Sequence, residues 1–274
     1  MVTSINTNIS SLNSARLLNI TNQNLARTTE RLSSGLRINR SADDPSGLFA
    51  AESLTSEIRG NAAAALNIQS ASSAIQVADS ALSNIYDVVQ RMRELAVQAN
   101  NSLNSAEQFT ALNNEFVSLR SAVTSMANGA KYAGTSLLTG ALTTLTLQIG
   151  SAAAATQAFT FATQGFTATD LGINASVISS QANAATAITA LDTAITSLST
   201  GRSTLGASDQ ALASLKQAAE VSVVSSSEAR SRIRDADIAT EVGNLVKAQI
   251  QQQAGAAALS AANFSTQFIL QLMQ

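Results

Sequence analysis

The chain has 274 residues; 45% are apolar but only 4% are aromatic, and there is no tryptophan, cysteine or histidine. Without cysteine and histidine, disulfide staples, thiolate chemistry, most zinc sites and any imidazole acid/base relay are excluded. Charged residues make up only 12% and the formal net charge is −2, so the basic field of a nucleic-acid binder is absent.

The apolar content is mainly alanine with leucine, isoleucine and valine, which lets helices pack closely along long seams. From Ser4, Ile5, Ile9 and Leu12 fall at helical spacings, and Leu18, Leu25 and Leu32 then recur every seventh position. This predicts a first helix with a narrow apolar stripe that ends near Gly35, the residue type suited to the left-handed position after a helix. The segment RLSSGLRINRSADDPSG follows, Arg31 to Gly47, with the only proline of the chain. Asp44 suits an N-cap and Pro45 the first helical turn, while Asp43 lies at the positive end of the helix dipole. The proline therefore starts a helix.

That second helix is long. Ile68, Ile75, Leu82, Val89 and Ala96 form one heptad series; Ala71, Ala78, Ile85, Met92 and Ala99 form its partner. A helix from Pro45 to about Gln98 would be roughly 80 Å long. After the polar break NNSLNS, Ser105 and Gln108 make a capping-box pattern. Phe109, Leu112, Phe116, Leu119, Val123 and Met126 then predict a third helix ending near Gly129.

Beyond Gly134 the period changes to two. Leu145, Leu147 and Ile149 alternate with polar residues, and Phe159 and Phe161 flank a threonine, which predicts two short strands joined through GSAAAATQ. Helical sequence resumes at about Ala175, with Leu191, Leu198, Leu205 and Leu212 in one series and Ile188 and Ile195 in the other. Gly201 and Gly206 interrupt it at about 1 kcal/mol each relative to alanine. A second charged segment, EARSRIRDADIATE, precedes a last helix whose face is traced by Ile250, Ala254, Ala257, Ala261, Phe264, Phe268 and Leu272.

The predicted fold is mainly α: an elongated antiparallel bundle of long heptad helices with a small β-hairpin insert. Its expected domains are 1–40 with 235–274, 41–140 with 173–234, and the insert 141–172. Termini normally fray and carry little apolar surface, yet here both ends are regularly striped. Their candidate packing residues are Ile5, Ile9, Leu12, Leu18, Leu25, Leu32, Ile250, Ala257, Ala261, Phe264, Phe268 and Leu272. An isolated two-helix arm is marginal, so the ends need neighbours, and a surface that is not self-complementary about a twofold axis generates an open helical array.

Several separated segments closely resemble bacterial flagellin, in order: SINTNISSLNSARLL and RLSSGLRINRSADDPSGL, QRMRELAVQANN, and SRIRDADIATEVGNLVKAQIQQQAGAAALSAAN. The resemblance implies a filament subunit whose paired terminal helices form the inner tube and whose central helices form the surrounding layer. It is similar to a minimal flagellin, with a short insert in place of large outer domains. It further implies a homopolymer, export through the flagellar type III apparatus, a chaperone on the C-terminal helix, assembly under a filament cap beyond hook-junction proteins, and an extracellular location. The N-terminus lacks a basic and apolar signal pattern, in line with that route. The family often has a proline after its QAN element; here the run is AANFSTQFILQLMQ.

Two candidate sites follow. Arg31, Arg37, Arg40, Asp43, Asp44, Arg230, Arg232, Arg234, Asp235 and Asp237 could form an arginine–carboxylate network between layers, or simply solvated charge and helix caps. Arg91, Leu95 and Glu115 match the family's contact pattern for the vertebrate Toll-like receptor for flagellin, although subunit packing is their expected primary role. Asn174 begins an N-glycan sequon, a short pattern with a high chance rate. No catalytic constellation, cofactor or metal site is expected; the metalloprotease insert of some flagellins needs histidines. The alternatives are a hook-filament junction protein and a secreted monomeric adhesin or immune ligand.

Overall fold

The computed structural model describes residues 7–140, 144–150, 158–162 and 164–272. Ile5, the connection 151–157 and the side chains of Leu145, Phe161, Phe268 and Leu272 lie outside the described residues. Among the described residues are five helices: α1 (Ile9–Ser34), α2 (Pro45–Ala99), α3 (Ala106–Gly129), α4 (Gln181–Arg234) and α5 (Ile238–Leu272). There are also two antiparallel strand pairs, β1 (Lys131–Tyr132) with β2 (Thr135–Ser136), and β3 (Thr144–Gln148) with β4 (Ala158–Ala162). The chain divides into two compact units, Met1–Ser56 with Ser225–Gln274, and Glu57–Val224. The division falls inside α2 and α4, not at the helix junctions where the sequence suggests domain edges.

The Glu57–Val224 unit is built on the heptads of α2. All ten residues of its two series, from Ile68 to Ala99, are at most 4% exposed. Leu191, Leu198, Leu205 and Leu212 of α4 close the seam from the other side, and Phe116 and Val123 of α3 fill it. Full burial of each such large side chain stabilises by about 1.5–3 kcal/mol. α3 starts with the reciprocal Ser105–Gln108 capping box. Its stripe ends one residue later than the spacing suggests: Ala127 is buried and Met126 faces outward. An i+4 step from Val123 keeps the small side chain inside.

Two local features depart from the sequence reading. β1 and β2 form a hairpin turned by Ala133 and Gly134, both at positive φ (47° and 84°); the left-handed alanine hides a turn that asparagine–glycine would have announced. α4 begins at Gln181, six residues later than Ala175, because Ser180 caps it by accepting from the Asn183 N–H at 3.3 Å. Just before the cap, Ile178 is buried and its N–H donates to Asn113 Oδ1 at 2.9 Å. The insert pairs Leu145 with Phe161 and Leu147 with Phe159 across β3 and β4, as its alternation suggests.

Candidate assembly interface

In the Met1–Ser56 and Ser225–Gln274 unit, α1 and α5 run antiparallel and pack against each other. Four polar contacts fix one register. Asn8 Nδ2 donates to the Ala262 carbonyl at 2.9 Å, and the Ser11 hydroxyl to Asn263 Oδ1 at 2.8 Å. Gln252 Nε2 donates to Asn22 Oδ1 at 2.9 Å, and Arg31 Nη1 to Glu241 Oε1 at 3.4 Å. Between them, Leu18 lies over Gly255, where an added Cβ would come within 3.2 Å of Leu18 Cδ1. Glycine here is a hole for a leucine knob.

The inner seam of α1 is half-buried Ser11, Ser14, Leu18, Thr21, Leu25, Thr28 and Leu32, so the heptad leucines do face the partner helix. The inner seam of α5 is Glu241, Leu245, Ala248, Gln252, Gly255, Leu259 and Ala262, at strict four–three spacing. Hydrophobicity alone misses that seam because three of its seven residues are polar or glycine. The stripe read from sequence is a different one: Ile250, Ala257, Ala261 and Phe264 are exposed, Ile250 at 61% and Phe264 at 68%. On α1, Ile9 and Leu12 are equally uncovered, at 63% and 62%. One chain thus covers one face of each terminal helix and leaves a second apolar face open.

The junction is a double one. α1 stops because Gly35 takes φ 70° and its N–H donates to the Arg31 carbonyl at 2.8 Å. The following residues clip to the end of α4: Arg37 N–H donates to the Arg234 carbonyl at 2.7 Å, and Ala236 N–H to the Gly35 carbonyl at 2.9 Å. Arg37 Nη2 also reaches the Ile233 carbonyl at 2.6 Å, a cation on the negative end of a helix. Ile38, 2% exposed, anchors the loop beside Gly47, where the Asp44 carboxylate and Ile38 leave no space for a side chain.

Within this unit the junction combines arginine–carboxylate pairs with helix caps. The arginines reach glutamates: Arg31 to Glu241, Arg40 to Glu30 at 2.9 Å, Arg234 to Glu52 at 2.9 Å and Arg232 to Glu228 at 3.7 Å. Among the described residues, no ion pair involves Arg230 or Asp235. The other aspartates act on backbone. Asp44 Oδ1 accepts from the Gly47 N–H at 2.9 Å and caps α2. Asp43 accepts from the Asn39 and Arg40 amides at 3.2 and 3.0 Å, holding the loop instead of the helix dipole. Asp237 caps α5 through the Ala239 and Thr240 N–H groups and the Thr240 hydroxyl. At this junction the aspartates hold backbone amides, while Glu30, Glu52 and Glu241 reach arginines of other elements and Glu228 reaches one of its own helix.

Those hydrogen bonds lower the three aspartate pKa values. The Gly47 N–H and then the Ser46 hydroxyl act on Asp44, the Arg40 and Asn39 amides on Asp43, and the Thr240 hydroxyl and amide on Asp237. A carboxyl that ionises more readily folded than unfolded adds stability that is complete above the unfolded value, about 3.9. That stability is lost as pH falls through the lower folded value. Acid below about pH 4 should therefore loosen the junction. In thermal unfolding across pH 2–7, Asp44→Asn should keep the cap's acceptor oxygen, lose at neutral pH only the part that depends on the charge, and show a shallower acid limb. Asp44→Ala should lower the midpoint at every pH above that limb; a midpoint equal to that of the parent chain at pH 7 removes the capping role.

In the other unit, Arg91 Nη2 pairs with Glu115 at 3.0 Å and Arg91 Nη1 with Glu94 at 3.0 Å, all on the surface. Leu95 is 1% exposed in the core against this surface pair. Within one chain it offers no surface to a receptor, because it flanks the inward heptad residue Ala96 and is packed into the same core.

Two ends that pair in one register, a clipped double junction and an uncovered apolar face on each terminal helix define a subunit organised for self-assembly. Comparison with known proteins supplies the family. Residues 5–143 match the bacterial flagellin N-terminal helical region and residues 188–273 the bacterial flagellin C-terminal helical region. The chain is 38% identical to flagellin FlaB2 of Treponema pallidum (strain Nichols), over 98% of this chain and 99% of that one. It is 34% identical to a flagellin of Halalkalibacterium halodurans, again over 98% and 99%. In fold, it resembles a flagellar hook-associated protein from Vibrio parahaemolyticus, with a TM-score of 0.59 at 15% identity, covering 70% of this chain and all of that one. The chain belongs to the bacterial flagellin family and is a structural subunit of the flagellar filament.

Proposed function

We propose that the exposed second faces of α1 and α5 are the surfaces through which copies of this chain join end to end and side by side. Ile9, Leu12, Ile250, Ala257, Ala261 and Phe264 then pack against neighbouring copies in the filament. The observation that carries this is the stripe of exposed large apolar residues left after the two helices have paired, from Val242 and Val246 to Phe264. Helices that keep apolar faces uncovered in isolation find cover in association.

The role is mechanical and not enzymatic: packed long helices transmit torque in an extracellular propeller. Family membership supports the remaining partners as well, namely the type III export apparatus, a chaperone on the C-terminal helix, the filament cap and the hook-junction proteins. Recognition by the Toll-like receptor for flagellin rests on Arg91 and Glu115 alone. Near-full-length similarity to flagellins favours the filament subunit over a junction protein or a secreted monomeric ligand. Purified chain brought to polymerising salt should sediment as fibres with a regular helical surface in electron micrographs. A chain that stays monomeric at every concentration and salt would remove the reading.

A further inference from the structure

Between α1 and α5, near the junction, lies a groove of about 410 Å³ lined by Asn24, Arg27, Arg31, Asn244, Lys247 and Gln251 among others. Its walls are almost all hydrogen-bond donors, three of them cationic, and no carboxylate lines it. Arg31 spends one nitrogen on Glu241, leaving the rest of its fork. Arg27 donates to Asn24 Oδ1 at 2.7 Å. Among the described residues, neither Arg27 nor Lys247 is in an ion pair.

The terminal helices as a pair carry Arg16, Arg27, Arg31 and Lys247 against Glu30 and Glu241, a surplus of positive charge in a chain whose formal net charge is −2. Both glutamates are already in ion pairs, with Arg40 and Arg31. A neighbouring copy therefore brings the same surplus and no spare carboxylate on its own terminal helices. Gathering these helices in one filament concentrates positive charge, and the neutralising group has to come from outside them.

We propose that this groove binds a small multivalent oxyanion of the phosphate or sulfate class, about one per subunit, and that the bound anion offsets repulsion between terminal helix pairs during assembly. The proposal rests on the filament reading above. Arg27 and Arg31 offer planar forks that match tetrahedral oxyanions, and Lys247 adds a point charge from the facing helix.

The test uses fibres of the full chain, dialysed into chloride and titrated calorimetrically with inorganic phosphate. Uptake should saturate near one phosphate per subunit, weaken about tenfold in Lys247→Gln and vanish in Arg27→Gln/Lys247→Gln, as loss of charge-assisted bonds requires. Phosphate should also lower the protein concentration needed for polymerisation relative to chloride at equal ionic strength, and the double variant should show one threshold in both salts. Uptake that never saturates, or that is unchanged in the double variant, overturns the proposal. So does a double variant that polymerises poorly in both salts while the parent binds no phosphate, which assigns the groove to a carboxylate of a neighbouring copy. Absence of fibres from the parent chain in either salt overturns instead the filament reading itself.

Discussion

Alanine at Gly201 should lower the thermal stability of the Glu57–Val224 unit, and alanine at Gly206, five residues along the same helix, should raise it. Both substitutions gain about 1 kcal/mol of helix propensity, so the difference in sign comes from surroundings. The ring of Phe166, which is 3% exposed, lies directly on Gly201 and occupies the space of any Cβ. Nothing lies within 4 Å of the Cβ position of Gly206. Overpacking a fitted core costs about 1–3 kcal/mol, so Gly201→Ala should be net destabilising by up to about 2 kcal/mol. The larger Gly201→Leu should exceed that. Pairing Gly201→Ala with Phe166→Leu should cost less than the sum of the two, because the smaller side chain vacates the contested volume. Calorimetric or circular-dichroism unfolding of the five variants, Phe166→Leu alone included, checks this, and equal effects at the two glycines would remove the packing explanation.

This pair of glycines also shows where the sequence is readable and where it is not. Residue spacing reports helices whose buried positions are apolar and periodic: the ten heptad residues of α2 and Leu191, Leu198, Leu205 and Leu212 of α4 are all inside. The caps at Asp44 and Ser105 were legible for a related reason, since an N-cap acts on amides two or three residues away and is a local property. What spacing does not report is which of two apolar faces a helix turns to its partner. α5 has Ala248, Gly255, Leu259 and Ala262 on one face and Ile250, Ala257, Ala261 and Phe264 on another, and the larger side chains lie on the outer one. The inner face is set by shape, Leu18 against Gly255, and by polar pins such as Gln252 to Asn22. These depend on a residue more than two hundred positions away. The junction behaves likewise. Its charges were visible, but whether an arginine meets an aspartate or a glutamate is decided by reach, which only the clipped geometry of Gly35–Arg37 against Arg234–Ala236 determines.

The two faces of α5 lead to the prediction with the largest effect on function. Ile250→Asp should leave the single chain folded and abolish filament formation. Ile250 is 61% exposed and outside the seam with α1, so within one chain the aspartate remains in water and costs little. If copies bury that face, each subunit loses the burial of an isoleucine, about 1.5–3 kcal/mol. It must also desolvate a carboxylate, a cost of several kcal/mol that Lys247, one turn away on α5, offsets only in part. At about 1.4 kcal/mol per tenfold change, the concentration needed for polymerisation should rise at least a hundredfold, beyond a practical range. Gly255→Asp is the counterpart: on the inner seam an added Cβ at Gly255 would already come within 3.2 Å of Leu18 Cδ1, so a charged side chain there should break the α1–α5 pair within the chain before assembly begins. Sedimentation separates polymer from monomer, and proteolytic sensitivity of the terminal helices separates the two variants. An Ile250→Asp chain that forms fibres at the parent concentration would show that this face stays in water in the filament, and the assembly surface would then have to be sought elsewhere on the chain.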